Sequence, residues 1–297
     1  MATERKAVFL GVARDCASHL PGVLDNINRF AGTYETAAFC FVISDTSDDT
    51  VPLLEAWLST GSRHGRVIDL GELSARLPLR TERIAYARNA GLGAIEHSPW
   101  SAFDDLVVVD LDDVLAAPID VGSFVRAKRW LAAEPSRSGV FASAAPRYYD
   151  IWALRHDRWC PSDCWHAIWE RSEGEAFEAA KFREVFARQI ELPIDLPPIE
   201  VRSAFGGLGI YRLPRALAAR YCGLDDRRRE VSEHVAFNAA LTAMGARLHV
   251  FPGLRVHAPP EHLYRPADFK LRWRAAMAGR RAVELVRPPW RPVLGLP

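Results

Sequence analysis

The sequence predicts an α/β fold, with a Rossmann-type, mainly parallel sheet flanked by helices in a single large domain. Three observations carry that expectation. Short apolar runs alternate with helix-patterned stretches through residues 1–115, the mark of successive βαβ units. The run Val107-Val108-Val109 leads straight into Asp110-Leu111-Asp112-Asp113. An apolar β-branched run reads as a buried strand, and carboxylates cannot stay inside it unpaired, so the acids mark its carboxyl end. That edge of an open α/β sheet is where ligands bind. Finally, 297 residues that are 49% hydrophobic suffice for one large core.

Taken in order, Val8-Phe9-Leu10-Gly11-Val12 is the first predicted strand, followed by Ala13-Arg14-Asp15 and a helix from about Leu20 to Phe30. Ala38 to Ile43 is the second strand and ends in Ser44-Asp45. Thr50 to Leu58 reads as a helix with Leu53, Leu54 and Trp57 on one face. Arg66 to Leu70 is a third strand, Thr81 to Glu96 a helix, and Leu106 to Val109 the fourth strand. Beyond Asp113 the alternation loosens. Phe124 to Leu131 is helical, Val140 to Ala144 a strand, Tyr148 to Trp169 aromatic and irregular, and Gly174 to Gln189 an amphipathic helix. Pro193 to Pro198 is a loop, and later strands fall near Gly209-Ile210-Tyr211 and Leu248-His249-Val250-Phe251. The chain thus divides into a nucleotide-binding half (1–115), a substrate-binding half (116–264) on the same sheet, and a basic tail (265–297).

Asp110 and Asp112 are two apart, so in extended chain they point the same way. Two hard oxygen ligands side by side suit Mg²⁺ or Mn²⁺, and such an ion suits a diphosphate. The preceding helix carries Arg83 and Arg88, whose forked guanidinium groups match phosphate or can organise the aspartates. Its small residues, among them Ala85, Ala87, Ala90 and Gly91, permit close packing on a sheet. Gly206-Gly207 lets backbone N–H groups approach a ligand. Glu233 opens an apolar helix and is a candidate general base or charge stabiliser. His257 follows a strand and the turn Pro252-Gly253, and is a candidate third metal ligand. Aromatic residues such as Tyr148, Trp152 and Trp165 are candidates to stack on a sugar. His156, Cys160, Cys164 and His166 have zinc-ligand chemistry but not a familiar spacing.

These segments, in this order, resemble a GT-A glycosyltransferase: Ala13-Arg14-Asp15 after one strand, Ser44-Asp45 after the next, Ala87-Arg88-Asn89-Ala90-Gly91-Leu92, Val109-Asp110-Leu111-Asp112-Asp113, Gly206-Gly207 and Glu233-His234. Tyr148-Tyr149-Asp150-Ile151-Trp152-Ala153-Leu154-Arg155 is also similar to a segment of the capsule-associated fungal α-mannosyltransferases and their bacterial relatives. The likeness runs over residues 6–260. It implies a nucleotide site at Ala13, Arg14 and Asp45, with Arg83 and Arg88 beside it. Asp110 would bind ribose and metal, Asp112 metal, with His257 completing the metal site. It further implies sugar contacts at Tyr148, Asp150, Trp152, Gly206 and Gly207, and catalysis by Glu233 and Asp112. The donor would be a nucleotide-diphosphate sugar, with mannose or glucose moved to a glycan, lipid-linked or other hydroxyl acceptor.

Composition narrows the alternatives. Lys plus Arg (38) nearly balances Asp plus Glu (37), which argues against a general nucleic-acid binder. No apolar run approaches the ~20 residues of a membrane span, and the start lacks a signal-peptide core, so a cytoplasmic protein is expected. The 5 cysteines suit a reducing compartment. Two rival readings remain. A haloacid-dehalogenase-type phosphohydrolase would use Asp110 as nucleophile, although that fold places the strand near the chain start and needs a later lysine and acid pair. A non-catalytic sugar-binding or membrane-docking module would use the tail. There 8 basic residues between Arg265 and Arg291 face Asp268 and Glu284, and Phe269, Trp273 and Met277 share a helical face. Such a tail suits peripheral contact with anionic lipid.

Overall fold

The computed structural model describes residues 5–61 and 63–264. The basic tail at 265–297, and with it the expected lipid contact, lies outside the described residues.

The apolar runs of the first half form β1 (Lys6–Ala13), β2 (Thr36–Ile43), β3 (His64–Asp69) and β4 (Asp105–Asp110). Between them lie α1 (Leu20–Ala31), α2 (Thr50–Thr60) and α3 (Arg80–Glu96). The second half supplies α4 (Val121–Ala132), β5 (Arg137–Ala145), α5 (Cys164–Trp169), α6 (Phe177–Glu184), β6 (Ile199–Val201), β7 (Leu208–Arg212), α7 (Leu213–Ala216), α8 (Glu233–Ala243) and β8 (Arg247–His257). Among the described residues the strands make one eight-stranded sheet, ordered β3-β2-β1-β4-β7-β5-β8-β6. β3, β2, β1 and β4 run parallel, β7 is antiparallel to both β4 and β5, β8 is parallel to β5, and β6 closes the edge antiparallel.

Strand side chains alternate between the two faces, and each face has its own core. Val8, Leu10, Val42 and Val108 pack with Ala85 and Leu92 of α3 and Phe237 of α8. Phe9, Phe41, Val107 and Val109 pack with Val23 and Ile27 of α1 and Phe124 of α4. Helices therefore cover both faces, as a buried parallel sheet requires.

Several sequence expectations need correction. α2 buries Thr50, Leu54 and Leu58, a stripe at four-residue spacing, while Leu53 lies one position off that stripe and is 39% exposed. The expected helix over 174–189 is shorter. Gly174 has φ +84, which no right-handed helix accommodates, and after α6 Val185 (φ −114, ψ −68) leads into a 3-10 turn, Phe186–Arg188. Pro252-Gly253 does not end a strand. β8 passes through it with a register shift, pairing Phe251 with Ala142 and Arg255 with Ser143, and ends at His257.

Candidate active site

A cleft of about 1340 Å³ opens over the carboxyl ends of β1, β2 and β4. The strand order reverses beside β1, with β2 on one side and β4 on the other. This is the switch point at which the two neighbouring loops diverge and leave a crevice. Ala13, Arg14, Asp45, Arg83, Arg88, Asp110, Asp112, Asp150, Trp152 and Glu233, all singled out from sequence, line it together.

At its floor lies Arg88, only 3% exposed. Its Nε donates to Glu233 Oε1 at 3.0 Å and its Nη2 to Asp110 Oδ1 at 3.1 Å. The guanidinium also lies over the rings of Phe205 and Tyr221, 5.1 and 5.7 Å from their centroids. Burial pulls against the charged form, but Glu233 and Asp110 outweigh it and hold Arg88 protonated. His234 Nε2 is 3.4 Å from Glu233 Oε1, and its ring stacks on Phe205. Burial and then Arg88 drive the pKa of His234 far below the usual imidazole range, so it is neutral.

Asp110 ends β4, and Asp112 caps the following 3-10 turn by accepting from Val114 N at 3.2 Å. Burial first, then the charge of Asp112, pushes Asp110 up to about 8 against the opposing pull of Arg88. Burial likewise raises Asp112. In both carboxylates Oδ2 has no hydrogen-bond partner among the described residues. Asp150 is held differently, with Oδ2 accepting from Gly206 N at 2.9 Å and Oδ1 from Ala153 N at 3.3 Å.

Along the cleft, Asp45 follows β2 with φ +53. Its Oδ1 accepts from Ser74 N at 2.8 Å, while Oδ2 is buried without a partner. Arg83 reaches the loop carbonyls of Leu77 and Pro78 at 2.9 and 2.7 Å, and Arg14 is an exposed partner of Asp15.

Four expected site residues lie elsewhere. Tyr148 is fully buried, packed edge-on against Trp159, whereas its neighbour Tyr149 lines the cleft. Gly206 and Gly207 form the cleft's backing rather than its lining. With φ of +70 and +84 they let the loop fold under β4, where Gly206 N holds Asp150 and Gly207 O accepts from Asp110 N at 2.9 Å. His257 is exposed at the end of β8 and does not line the cleft, because the bulge at Pro252-Gly253 carries the strand past the point expected. His262, five residues on, does line it, with its ring stacked 5.8 Å from that of Tyr149.

The candidate zinc set is not assembled. His156 Nδ1 accepts from the backbone of Trp159, Cys160 takes a hydrogen bond from Arg188, and His166 Nε2 meets Glu230 O. Among the described residues no three His, Cys, Asp or Glu side chains form a ready-made metal cage, and the 5 cysteines are free. No helix among them is long and apolar enough to cross a membrane.

Sequence reasoning missed Tyr149, Lys181, Trp169, Glu230 and His262 in the cleft lining. Only Tyr149 had a local signal, its adjacency to a residue already singled out. The others arrive through loops whose course is set by packing.

No family model and no curated protein matches the sequence. Solved structures do. A mannosyltransferase from Pyrobaculum calidifontis, solved with GDP-Man and Mn²⁺, is similar with a TM-score of 0.52 and 14% identity, over 87% of this chain and 59% of its own. GalNAc-T7, solved with UDP, GalNAc and Mn²⁺, is similar with a TM-score of 0.52 and 12% identity, over 89% of this chain and 45% of its own. For TarS from S. aureus the TM-score is 0.50 at 12% identity, over 86% of this chain and 37% of its own. This chain therefore spans less than two thirds of each. At such identities the likeness is one of architecture: the chain has the GT-A fold found in these glycosyltransferases.

Proposed function

We propose that the chain is a divalent-metal-dependent glycosyltransferase. It would move a hexose, mannose or glucose, from a nucleotide-diphosphate sugar to a hydroxyl of a glycan, lipid-linked or other acceptor. One observation carries this reading. Asp110 and Asp112 each keep an Oδ2 with no partner among the described residues at the switch point of the sheet, in a cleft that Arg14, Arg83 and Arg88 also line. The fold supports it, since the similar proteins include a mannosyltransferase solved with GDP-Man and Mn²⁺.

The donor set fits Mn²⁺ or Mg²⁺. Two adjacent carboxylates, each with one oxygen uncommitted among the described residues, suit a cation between them, and such ions take one or two carboxylates with substrate phosphates filling the shell. Asp110 and Asp112 would hold the ion, and His262 is an imidazole that lines the same cleft. When bound, the ion acts as a Lewis acid toward the negative charge that develops on the leaving diphosphate. Arg88 fixes the orientation of Asp110. Ala13, Arg14 and Asp45 take the nucleotide. Glu233, with Oε1 fixed by Arg88, lines the cleft where it can take the acceptor's hydroxyl proton or face the positive anomeric carbon.

The phosphohydrolase alternative finds no support. The scaffold is GT-A. A thermal-shift panel of nucleoside diphosphates with and without Mn²⁺ tests the reading. A metal-dependent rise with one base supports it. A response to simple phosphate esters alone contradicts it.

A further inference from the structure

We propose that the outer wall of the cleft is an acceptor subsite for a sugar ring bearing an acidic group, either a carboxylate or a phosphate ester. This rests on the glycosyltransferase reading and names the class of acceptor that reading leaves open.

The wall is aromatic. Trp165 and Trp169 on α5 hold their rings 6.4 Å apart at 26°, and both line the cleft. Trp169 is 64% exposed. A large apolar ring left in water beside a cleft marks a surface that a ligand covers. The flat faces of indoles match the apolar C–H face of a pyranose. Trp152 lines the same cleft, and its buried Nε1 has no acceptor among the described residues.

The charge comes from α6. Lys181 Nζ lies 5.8 Å from the centroid of Trp165 and 5.3 Å from that of Phe186. Those ring faces hold the ammonium in place without neutralising it. Among the other cleft cations, Arg88 is paired with Asp110 and Glu233, and Arg229 with Asp225 and Glu170, while Arg83 is tied to the carbonyls of Leu77 and Pro78. Among the described residues Lys181 has no carboxylate partner. A half-buried ammonium beside stacking rings recognises a compact anion attached to a ring. A neutral sugar satisfies the tryptophans but leaves the ammonium unpaired.

The test is calorimetric binding to the full chain with Mn²⁺ and the preferred nucleoside diphosphate present. Three ligands are compared: methyl glucuronoside, glucose 6-phosphate and neutral methyl glucoside. At least one acidic ligand is expected to bind about tenfold or more tighter than the neutral one, the scale of a charge-assisted hydrogen bond. The two acidic arms tell carboxylate from phosphate. Lys181→Met should remove the preference, and Lys181→Arg should keep it. Trp169→Ala should weaken neutral and acidic ligands alike. Equal binding of all three by the unaltered protein, a preference that survives in Lys181→Met, or binding of none overturns the proposal. Nucleoside diphosphate binding is measured separately. If it occurs without an acidic preference, only the subsite fails. If it is absent while the acidic sugar binds, the glycosyltransferase reading fails, and with it the assignment of this wall as an acceptor subsite, although the wall still binds acidic sugars.

Discussion

Nη2 of Arg88 lies 3.1 Å from Oδ1 of Asp110, and the same guanidinium reaches Glu233. One buried side chain thereby ties the carboxyl end of β4 to the first turn of α8. The helix start favours an acid there, and the arginine fixes which way that acid points. The geometry of the candidate site therefore depends on a residue that belongs to neither element.

Removing that tie leaves the buried carboxylate of Glu233 and the part-buried one of Asp110 without their shared cation. Arg88→Ala is expected to destabilise the fold by about 3–5 kcal/mol, the usual cost of stranding a buried charge. Arg88→Lys keeps the charge but cannot span both partners, so it should lose less stability and still lose most activity. Urea unfolding of the two variants checks the order. Equal stability of Arg88→Ala and the unaltered protein would remove the clamp from the account.

Asp110 is pushed up to about 8 from an ordinary 3.8. With a raised folded pKa, its contribution to stability is full below the ordinary value and lost as pH rises through the folded one. The metal-free protein should therefore lose stability from this group between those two points. A cation needs the ionised carboxylate, so at lower pH it must displace a proton. The Mn²⁺-induced rise in Tm should be larger at about pH 8.5 than at about pH 6.5. A rise independent of pH would separate Asp110 from the metal.

The glycines behind the site can be compared with one that only turns the chain. A Cβ on Gly206 would meet Ala142 O at 2.8 Å, and one on Gly207 would meet Val114 Cγ1 at 2.5 Å. Gly71 has a similar φ of +62 with nothing within 4 Å. Gly71→Ala should cost about 1–2 kcal/mol from backbone conformation alone, and Gly206→Ala about 2–4 kcal/mol because overpacking adds to it. Gly206→Ala should also weaken donor binding by shifting the N–H that holds Asp150. Chemical denaturation with matched nucleotide titrations reads both effects.

Much of this was legible because strands and chemistry share one pattern. The apolar run before Asp110 placed a buried strand, its acids and the sheet's binding edge at once. What escaped is what depends on distant packing. β6 has three residues next to a Pro-rich stretch, too short for periodicity to register. Nothing local tells that β7 enters antiparallel between β4 and β5. Tyr148 and Tyr149 are chemically alike, and only the course of the loop decides that the first is core and the second lines the cleft. His257 stands out in the sequence as a late histidine beyond the turn Pro252-Gly253, whereas the sheet absorbs that turn as an irregularity.

That last difference can be measured. His262→Ala should lower Mn²⁺ affinity by about tenfold or more, at least as much as losing an outer-shell partner of a metal site. His257→Ala should leave it unchanged. Manganese titrations of the two variants decide, and the reverse order would return the role to His257.

Glu233→Gln keeps a hydrogen-bond acceptor for Arg88 but removes the basic carboxylate. Turnover should fall by about a hundredfold or more, within the range of general-base contributions, while donor KM changes little. Donor affinity falling with turnover unchanged would make Glu233 a binding residue instead.

The most direct measurement is Mn²⁺ binding followed by electron paramagnetic resonance, with and without nucleotide-diphosphate sugar, in the unaltered protein and in Asp112→Asn. The unaltered protein should immobilise manganese more strongly when the donor is present, and the variant should lose both that binding and transfer while keeping its fold. Manganese held equally well by Asp112→Asn, with transfer intact, would contradict the account.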